Sequence, residues 1–384
     1  MLDSLHIKNF RSLTDFQVEK LGRINLIVGK NNSGKSSVLE ALRIYAGNGQ
    51  RVLLEAIAAE HDEKYSTEEA EGMEQDATLP FQDFFTGRQF PNDDETVIHI
   101  GRTPGLTDVL LMKHVFMTET TQPVDEGSRS LFVQYQEVLK SDAASTTDDI
   151  MQALRISQGE RKLPLYFLDA VPGRFKTPKF DFSNAIPCSV VPTQFVSQDE
   201  LADEWDKIAL SDDAEFVKQA MRIIAPEFDA LAFVRNDTVN STSPRRIQRS
   251  GKVRLSNALK PVPLKSLGDG VMRVLQLTLK LLSAKGGFLL IDEFENGLHY
   301  SVQEKVWTML FEMAEKLDVQ VFATTHSWDC IESFTQVARA HADIEGVLFR
   351  MGKSVRTSDK GKVIATVFEE EALYAITQSE MEVR

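Results

Sequence analysis

The segment Gly29-Lys30-Asn31-Asn32-Ser33-Gly34-Lys35-Ser36 satisfies G-x-x-x-x-G-K-[ST] in full. It lies between an apolar run, Arg23 to Val28, and a stretch in which Val38, Leu39, Leu42 and Tyr45 recur at helical spacing. A strand that turns through such a loop into a helix constrains the fold strongly. The helix N-terminus must stand at the carboxyl end of a strand, where an α/β sheet opens its ligand crevice. The glycines let backbone N–H groups turn inward on phosphate oxygens, Lys35 reaches the outer phosphates, and Ser36 offers a hydroxyl to Mg²⁺. Gly29, Asn31, Asn32, Ser33, Gly34, Lys35, Ser36 and Ser37 form the candidate phosphate-binding set.

Phe288-Leu289-Leu290-Ile291-Asp292-Glu293 is an apolar strand that ends in two carboxylates. Charge placed at the carboxyl end of a buried strand faces the same crevice. Asp292 is the candidate to hold Mg²⁺ through water, and Glu293 the candidate base that polarises an attacking water. The separation of 257 positions (292 − 35) from Lys35 to Asp292 is too wide for a small GTPase. No Asn-Lys-x-Asp motif occurs either, since Glu315-Lys316-Leu317-Asp318 has the wrong first residue, so adenine is favoured over guanine.

Two shorter motifs accompany these. Thr324-Thr325-His326-Ser327 follows the apolar strand Val319 to Ala323, which puts the His326 imidazole where a γ-phosphate would lie. Lys265-Ser266-Leu267-Gly268-Asp269-Gly270 opens a helical stretch; Ser266 and Gly268 there read either as an anion site at a helix N-terminus or as a plain helix cap.

The 384 residues are 42% hydrophobic and 26% charged, enough to bury a sizeable core. No apolar run approaches a membrane span and the N-terminus has no signal pattern, so the expectation is a cytoplasmic protein with no membrane contact. Cys188 and Cys330 have no metal-site spacing and read as reduced structural thiols. A net charge of −14 argues against a surface that coats nucleic acid throughout. Charge is unevenly spread. Glu55 to Asp76 carries nine acidic residues against Lys64 alone and reads as a solvated helix end and loop, whereas Arg245 to Lys265 carries seven basic residues and no acidic one. The basic run reads as a solvent-facing hairpin or as a contact surface for DNA or an acidic partner.

Strand patterns are expected at Leu5 to Phe10, Thr96 to Ile100, Val109 to Phe116, Leu131 to Val138 and Leu163 to Leu168, with helices at Gln198 to Leu210 and Ala214 to Ile224. A helix at Asp269 to Ser283, a strand at Gly287 to Ile291, a helix at Ser301 to Lys316 and a C-terminal helix near Glu369 to Thr377 follow. No repeat or sustained heptad pattern is present, which excludes a long coiled-coil arm. The expected organisation is an N-terminal part with the phosphate loop (1–60), a compact mixed insertion with a lid region (61–262), and a C-terminal part with the other motifs (263–384).

In this order, the four motifs resemble those of the ATPase head of the SMC, RecF and OLD-like group of ABC ATPases. The resemblance is specific over residues 1–46 and 263–330. It implies an α/β fold, an ABC/SMC-type P-loop head with a mostly parallel core sheet and an antiparallel N-terminal strand layer, which binds ATP and Mg²⁺ as a homodimer or higher homo-oligomer. It also implies that Ser266 and Gly268 complete the pocket of a facing subunit, that Arg11 in Ile7-Lys8-Asn9-Phe10-Arg11-Ser12-Leu13 approaches the nucleotide, and that Glu295 and His299 shape the subunit interface. The chain departs from the common pattern at Leu267, which replaces a glycine, and Gln89, Gln134 and Gln194 compete for the lid glutamine. The 58 residues beyond His326 are too few for the nuclease domain of OLD proteins, so stand-alone heads of this kind imply an antiphage ATPase with a separate effector protein. A RecF-like DNA clamp is the rival expectation.

Overall fold

The computed structural model describes residues 1–63, 81–102, 109–123, 131–143, 150–159, 161–168, 185–235, 249–359 and 361–368. The chain opens with β1 (Leu5–Phe10), β2 (Leu13–Val18) and β3 (Ile24–Gly29), then α1 (Lys35–Ala46) and α2 (Arg51–Glu60). The strands β4 (Ile98–Gly101), β5 (Leu110–Pro123) and β6 (Leu131–Val138), a single turn α3 (Lys140–Ala143), and β7 (Ile150–Gln158), β8 (Arg161–Phe167) and β9 (Cys188–Val191) follow. Next come α4 (Gln198–Ile208), α5 (Asp213–Met221), β10 (Phe228–Arg235), β11 (Arg249–Leu255) and β12 (Val262–Pro263). The C-terminal part runs α6 (Asp269–Ser283), β13 (Phe288–Ile291), α7 (Tyr300–Lys316), β14 (Gln320–Thr325), α8 (Trp328–Ala340), β15 (Gly346–Lys353) and β16 (Val363–Phe368).

The six-stranded core sheet has the order β16-β15-β3-β14-β13-β9, parallel at every pairing except β15 with β16. All residues of β3 are buried, as expected for a parallel strand covered on both faces. Alternation along β3 sends Ile24, Leu26 and Val28 toward α4 to α8 and Ile27 toward α1. On that second face α1 lies between the parallel sheet and a seven-stranded antiparallel sheet, ordered β2-β1-β4-β5-β7-β8 with β6 on β5. The phosphate loop therefore sits at the seam of two sheets, held from both.

The middle segment is not the compact insertion expected from the sequence. Its strands β4 to β8 extend the β1–β2 hairpin through β4, while β9 joins the parallel sheet beside β13 and α4 and α5 pack on α6. The physical reason is that the hairpin cannot bury its apolar face alone, and β9 covers the open edge of β13. The helix expected near Glu369 to Thr377 lies outside the described residues, as does part of the acidic run. Among the described residues no helix is long and apolar enough to cross a membrane.

Candidate nucleotide site

Local backbone geometry explains the loop. At Gly29 a Cβ would stand 2.6 Å from the Met351 carbonyl oxygen, so any side chain there would push β15 away. Gly34, the N-cap of α1, has φ 93°, a conformation that glycine adopts without strain. Asn32 also takes a left-handed turn, which asparagine tolerates. α1 has no side-chain cap and no acidic residue in its first turn, whereas Ser197 and Ser327 cap α4 and α8. Its leading amides thus remain free to donate to an anion, and the helix dipole reinforces them.

Ser12, Asn31 to Ser37, Glu40, His61, Asp292, Glu293 and His326 line one cavity of about 300 Å³. A second space of about 630 Å³ adjoins it over Gly29, Lys30, Thr325 and Ile331 and shares Asn31, Glu293 and His326. Lys35 Nζ donates to the carbonyls of Gly29 (2.8 Å) and Lys30 (3.1 Å). Burial pulls the Lys35 ammonium below its ordinary pKa, against the opposing pull of Asp292, Glu293 and Glu295. Ser33 Oγ is buried and has no hydrogen-bond partner, a hydroxyl a phosphate oxygen would satisfy.

The acidic strand end is clamped from several sides. Asp292 accepts from Thr324 Oγ1 at 2.7 Å and from Thr193 Oγ1 at 3.1 Å, and Glu293 N donates to the same Thr324 oxygen at 2.9 Å. Glu293 has φ 49°, an unfavourable conformation for a residue with a Cβ. Phe294 N donates to Thr324 O at 2.9 Å, and the buried Phe294 ring stacks on Trp307 of α7 at 3.8 Å. Arg273 of α6, fully buried, donates to the carbonyls of Asp292 and Glu293 at 2.8 and 2.7 Å and to that of Pro192 at 2.7 Å. Burial lowers its pKa to about 10 despite the nearby Asp292, Glu295 and Glu293 carboxylates. The sequence reading missed Arg273 and Thr193, and placed Thr324 in the His326 motif without a role. A lone arginine in the apolar repeat of α6 was the available signal.

His326 Nε2 stands 3.9 Å from Glu293 Oε1. Glu295 sets the corner that carries it, accepting from Thr325 Oγ1 at 2.7 Å and from His326 N at 2.8 Å. Glu295 is thus engaged within its own chain. His299 caps α7 through Ser301 and packs against Tyr300 at 4.2 Å.

Three expected residues stand elsewhere. The Arg11 side chain does not line the cavity. It is buried against Glu40 (2.5 Å), in the second turn of α1, and Glu63 (2.7 Å), because those two carboxylates and the rings of Phe10 and Phe84 surround its guanidinium. His61, 2.7 Å from Glu40, faces the cavity in its place. Ser266 and Gly268 are exposed and absent from the lining. Nor is Ser266 the helix cap: its hydroxyl donates to Pro263 O at 2.6 Å, and the N-cap of α6 is Gly268, with φ 91° and no side-chain bond. Among the three glutamines, Gln194 stands beside Thr193 at the end of β9, next to Asp292.

Fold and site together define a P-loop, nucleotide-binding type of cavity at the carboxyl ends of the parallel strands. Comparison with known proteins narrows the class: a family model described as "AAA ATPase domain" matches residues 1–185, and one described as "AAA domain, putative AbiEii toxin, Type IV TA system" matches 198–329. Over these two segments the chain is similar to AAA-type ATPase domains. An ATP/GTP phosphatase of Helicobacter pylori is 23% identical over 361 residues, covering 88% of this chain and 89% of that protein. The DNA double-strand break repair Rad50 ATPase of Archaeoglobus fulgidus is 52% identical over 44 residues, 12% of this chain and 5% of its own length. Among solved structures, an Smc head domain with an extended coiled coil from Pyrococcus furiosus covers 99% of both chains at 10% identity, with a TM-score of 0.46.

Proposed function

We propose that the chain binds Mg-ATP between two copies of its head, hydrolyses it, and uses the cycle as a switch in antiphage defence with a separately encoded effector. The observation that carries the reading is the placement of the motifs. The phosphate loop, Asp292, Glu293 and His326 line one cavity, while Ser266 and Gly268 lie exposed away from it. A motif useless to its own pocket but exposed is suited to a facing subunit. In the same reading Lys35 contacts the outer phosphates, Glu293 accepts a proton from the attacking water, and His326 contacts the γ-phosphate.

The hard oxygen donors Ser36 and Asp292 suit Mg²⁺, which would neutralise phosphate charge there. The Helicobacter pylori relative supports nucleotide hydrolysis, and the toxin–antitoxin description of the model over 198–329 supports a defence role with a partner protein. The local likeness to Rad50 favours the second reading, a DNA clamp, in which the basic run would meet duplex phosphates. Phosphate release from Mg-ATP by the purified protein, set beside its Lys35→Ala variant, tests the hydrolytic core. A wild-type protein that releases none, or a variant equal to it, refutes that core.

A further inference from the structure

Arg273 is the one fully buried arginine among the described residues, and no carboxylate touches it. Its fork spans three carbonyls on two strand ends: Nη1 takes Pro192 O at the end of β9, and Nη2 takes both Asp292 O and Glu293 O at the end of β13. Nε has no hydrogen-bond partner. A cation buried this deeply is costly, and apolar packing alone would not call for it in the stripe that α6 lays on the core. What the fork does is orient peptide planes. With the Asp292 and Glu293 carbonyls turned to α6, Glu293 is held at φ 49° and its carboxylate remains on the cavity side, 3.9 Å from His326.

Arg273 also lies one turn inside the helix whose N-cap is Gly268, immediately after the exposed Ser266 segment. Gly270 packs at that turn, where an added Cβ would come within 3.2 Å of Gly297 O in the loop after β13. The start of α6 therefore moves with the acidic loop or strains it.

We propose that Arg273 is a positioning residue that couples the Ser266–Gly268 face of α6 to the chain's own Asp292–Glu293 pair, so that contact at that face sets the alignment of the general base. This rests on the ATPase reading given above. Displacing α6 by even a fraction of an ångström shifts three carbonyls held by one planar group. Lysine cannot reproduce the effect, because a single ammonium on a flexible stem does not span both strand ends.

The test compares wild type, Arg273→Gln, Arg273→Lys, Glu293→Gln and the Arg273→Gln/Glu293→Gln double variant, reading ATP affinity and single-turnover hydrolysis separately. The expected result is ATP affinity within about threefold of wild type, a hydrolytic rate reduced at least about tenfold in both Arg273 variants, and no further loss in the double variant over Glu293→Gln alone. Should Arg273→Gln fail to fold, Arg273→Lys combined with Glu293→Gln carries the same comparison. Hydrolysis at the wild-type rate in a folded Arg273 variant overturns the inference, as does an additive double variant. A parallel loss of affinity and rate overturns it too, by marking Arg273 as a plain folding residue. Wild-type protein without ATPase activity would instead sink the ATPase reading itself.

Discussion

Glu295 holds His326 by its backbone, the Oε1 oxygen accepting from His326 N at 2.8 Å while Oε2 takes the Thr325 hydroxyl at 2.7 Å. The imidazole therefore leaves β14 in a fixed direction, toward Glu293. Glu293→Gln is expected to retain ATP and to slow hydrolysis by roughly 10²-fold or more, the usual contribution of a general base. Lys35→Ala is expected to lose ATP binding outright, since it removes a phosphate contact. Equilibrium binding of a labelled nucleotide beside single-turnover hydrolysis separates the two outcomes; a Glu293→Gln variant at wild-type speed removes the base assignment.

The exposed placement of Ser266 yields a mixing experiment. A Ser266→Arg subunit and a Lys35→Ala subunit are each expected to be inactive, yet a mixed dimer of the two contains one pocket with Lys35 from the first and Ser266 from the second. Recovered ATPase activity in the mixture supports action across the interface. A verified mixed dimer without activity counts against it, and the cap alternative is already closed by the Ser266 bond to Pro263.

Sequence legibility followed the physics of each element. β3, α1, α6, β13, α7 and β14 were readable within a residue or two, because long apolar runs or helical spacing stand beside punctuating glycines. β2, β7, β9, β10 and β11 were not, and for β9 the cause is plain: it is a four-residue strand whose place beside the distant β13 no local pattern encodes. The same holds in the site. The loop, Asp292, Glu293 and His326 follow from motifs, whereas Arg273 and Thr193 act through contacts across 19 to 99 residues of chain. Arg11 misled because its partners Glu40 and Glu63 belong to other elements.

Gly34 offers a stability test with an internal control. An alanine Cβ there would lie 3.0 Å from Ser12 Oγ and 3.1 Å from Leu13 Cδ2, at φ 93°. Backbone strain of about 1–2 kcal/mol plus this crowding should lower the melting temperature and weaken ATP binding. Gly352→Ala, where a Cβ meets nothing within 4 Å, should leave both nearly unchanged. Equal melting temperatures for the two variants would falsify the strain account.

His61 gives a pH dependence whose sign is fixed. Its hydrogen bond to Glu40 raises its pKa above the ordinary 6.5, against burial and the repulsion of Arg11, with Glu63 adding a smaller pull upward. A raised value means the folded protein binds the proton more tightly than the unfolded chain. The stabilisation is complete below about pH 6.5 and disappears as pH rises through the folded value. Wild type should therefore exceed His61→Asn in melting temperature under mildly acidic conditions, with the two curves converging in alkali. A gap that widens with pH contradicts the pairing.

The basic run Arg245 to Lys265 was the main sequence support for DNA contact, and the structure spends part of it internally. Arg249 of β11 ion-pairs with Asp203 and Asp206 of α4, while its backbone N donates to Asp199. Arg254 pairs with Asp229 on the neighbouring strand β10. With these two engaged, at most five of the seven basic residues in the run remain to meet phosphates: Lys252, Lys260 and Lys265, together with Arg245 and Arg246, which lie outside the described residues. Counterion release then limits the dependence of log affinity on log salt for duplex DNA to a slope no steeper than about −4.5 from this run. Arg249→Ala should lower the melting temperature, because three aspartates of α4 lose their shared cation, while leaving DNA affinity unchanged. A steeper slope, together with a loss of duplex binding in Arg249→Ala at unchanged stability, would mean that the arginine leaves its aspartates for DNA and would favour the clamp.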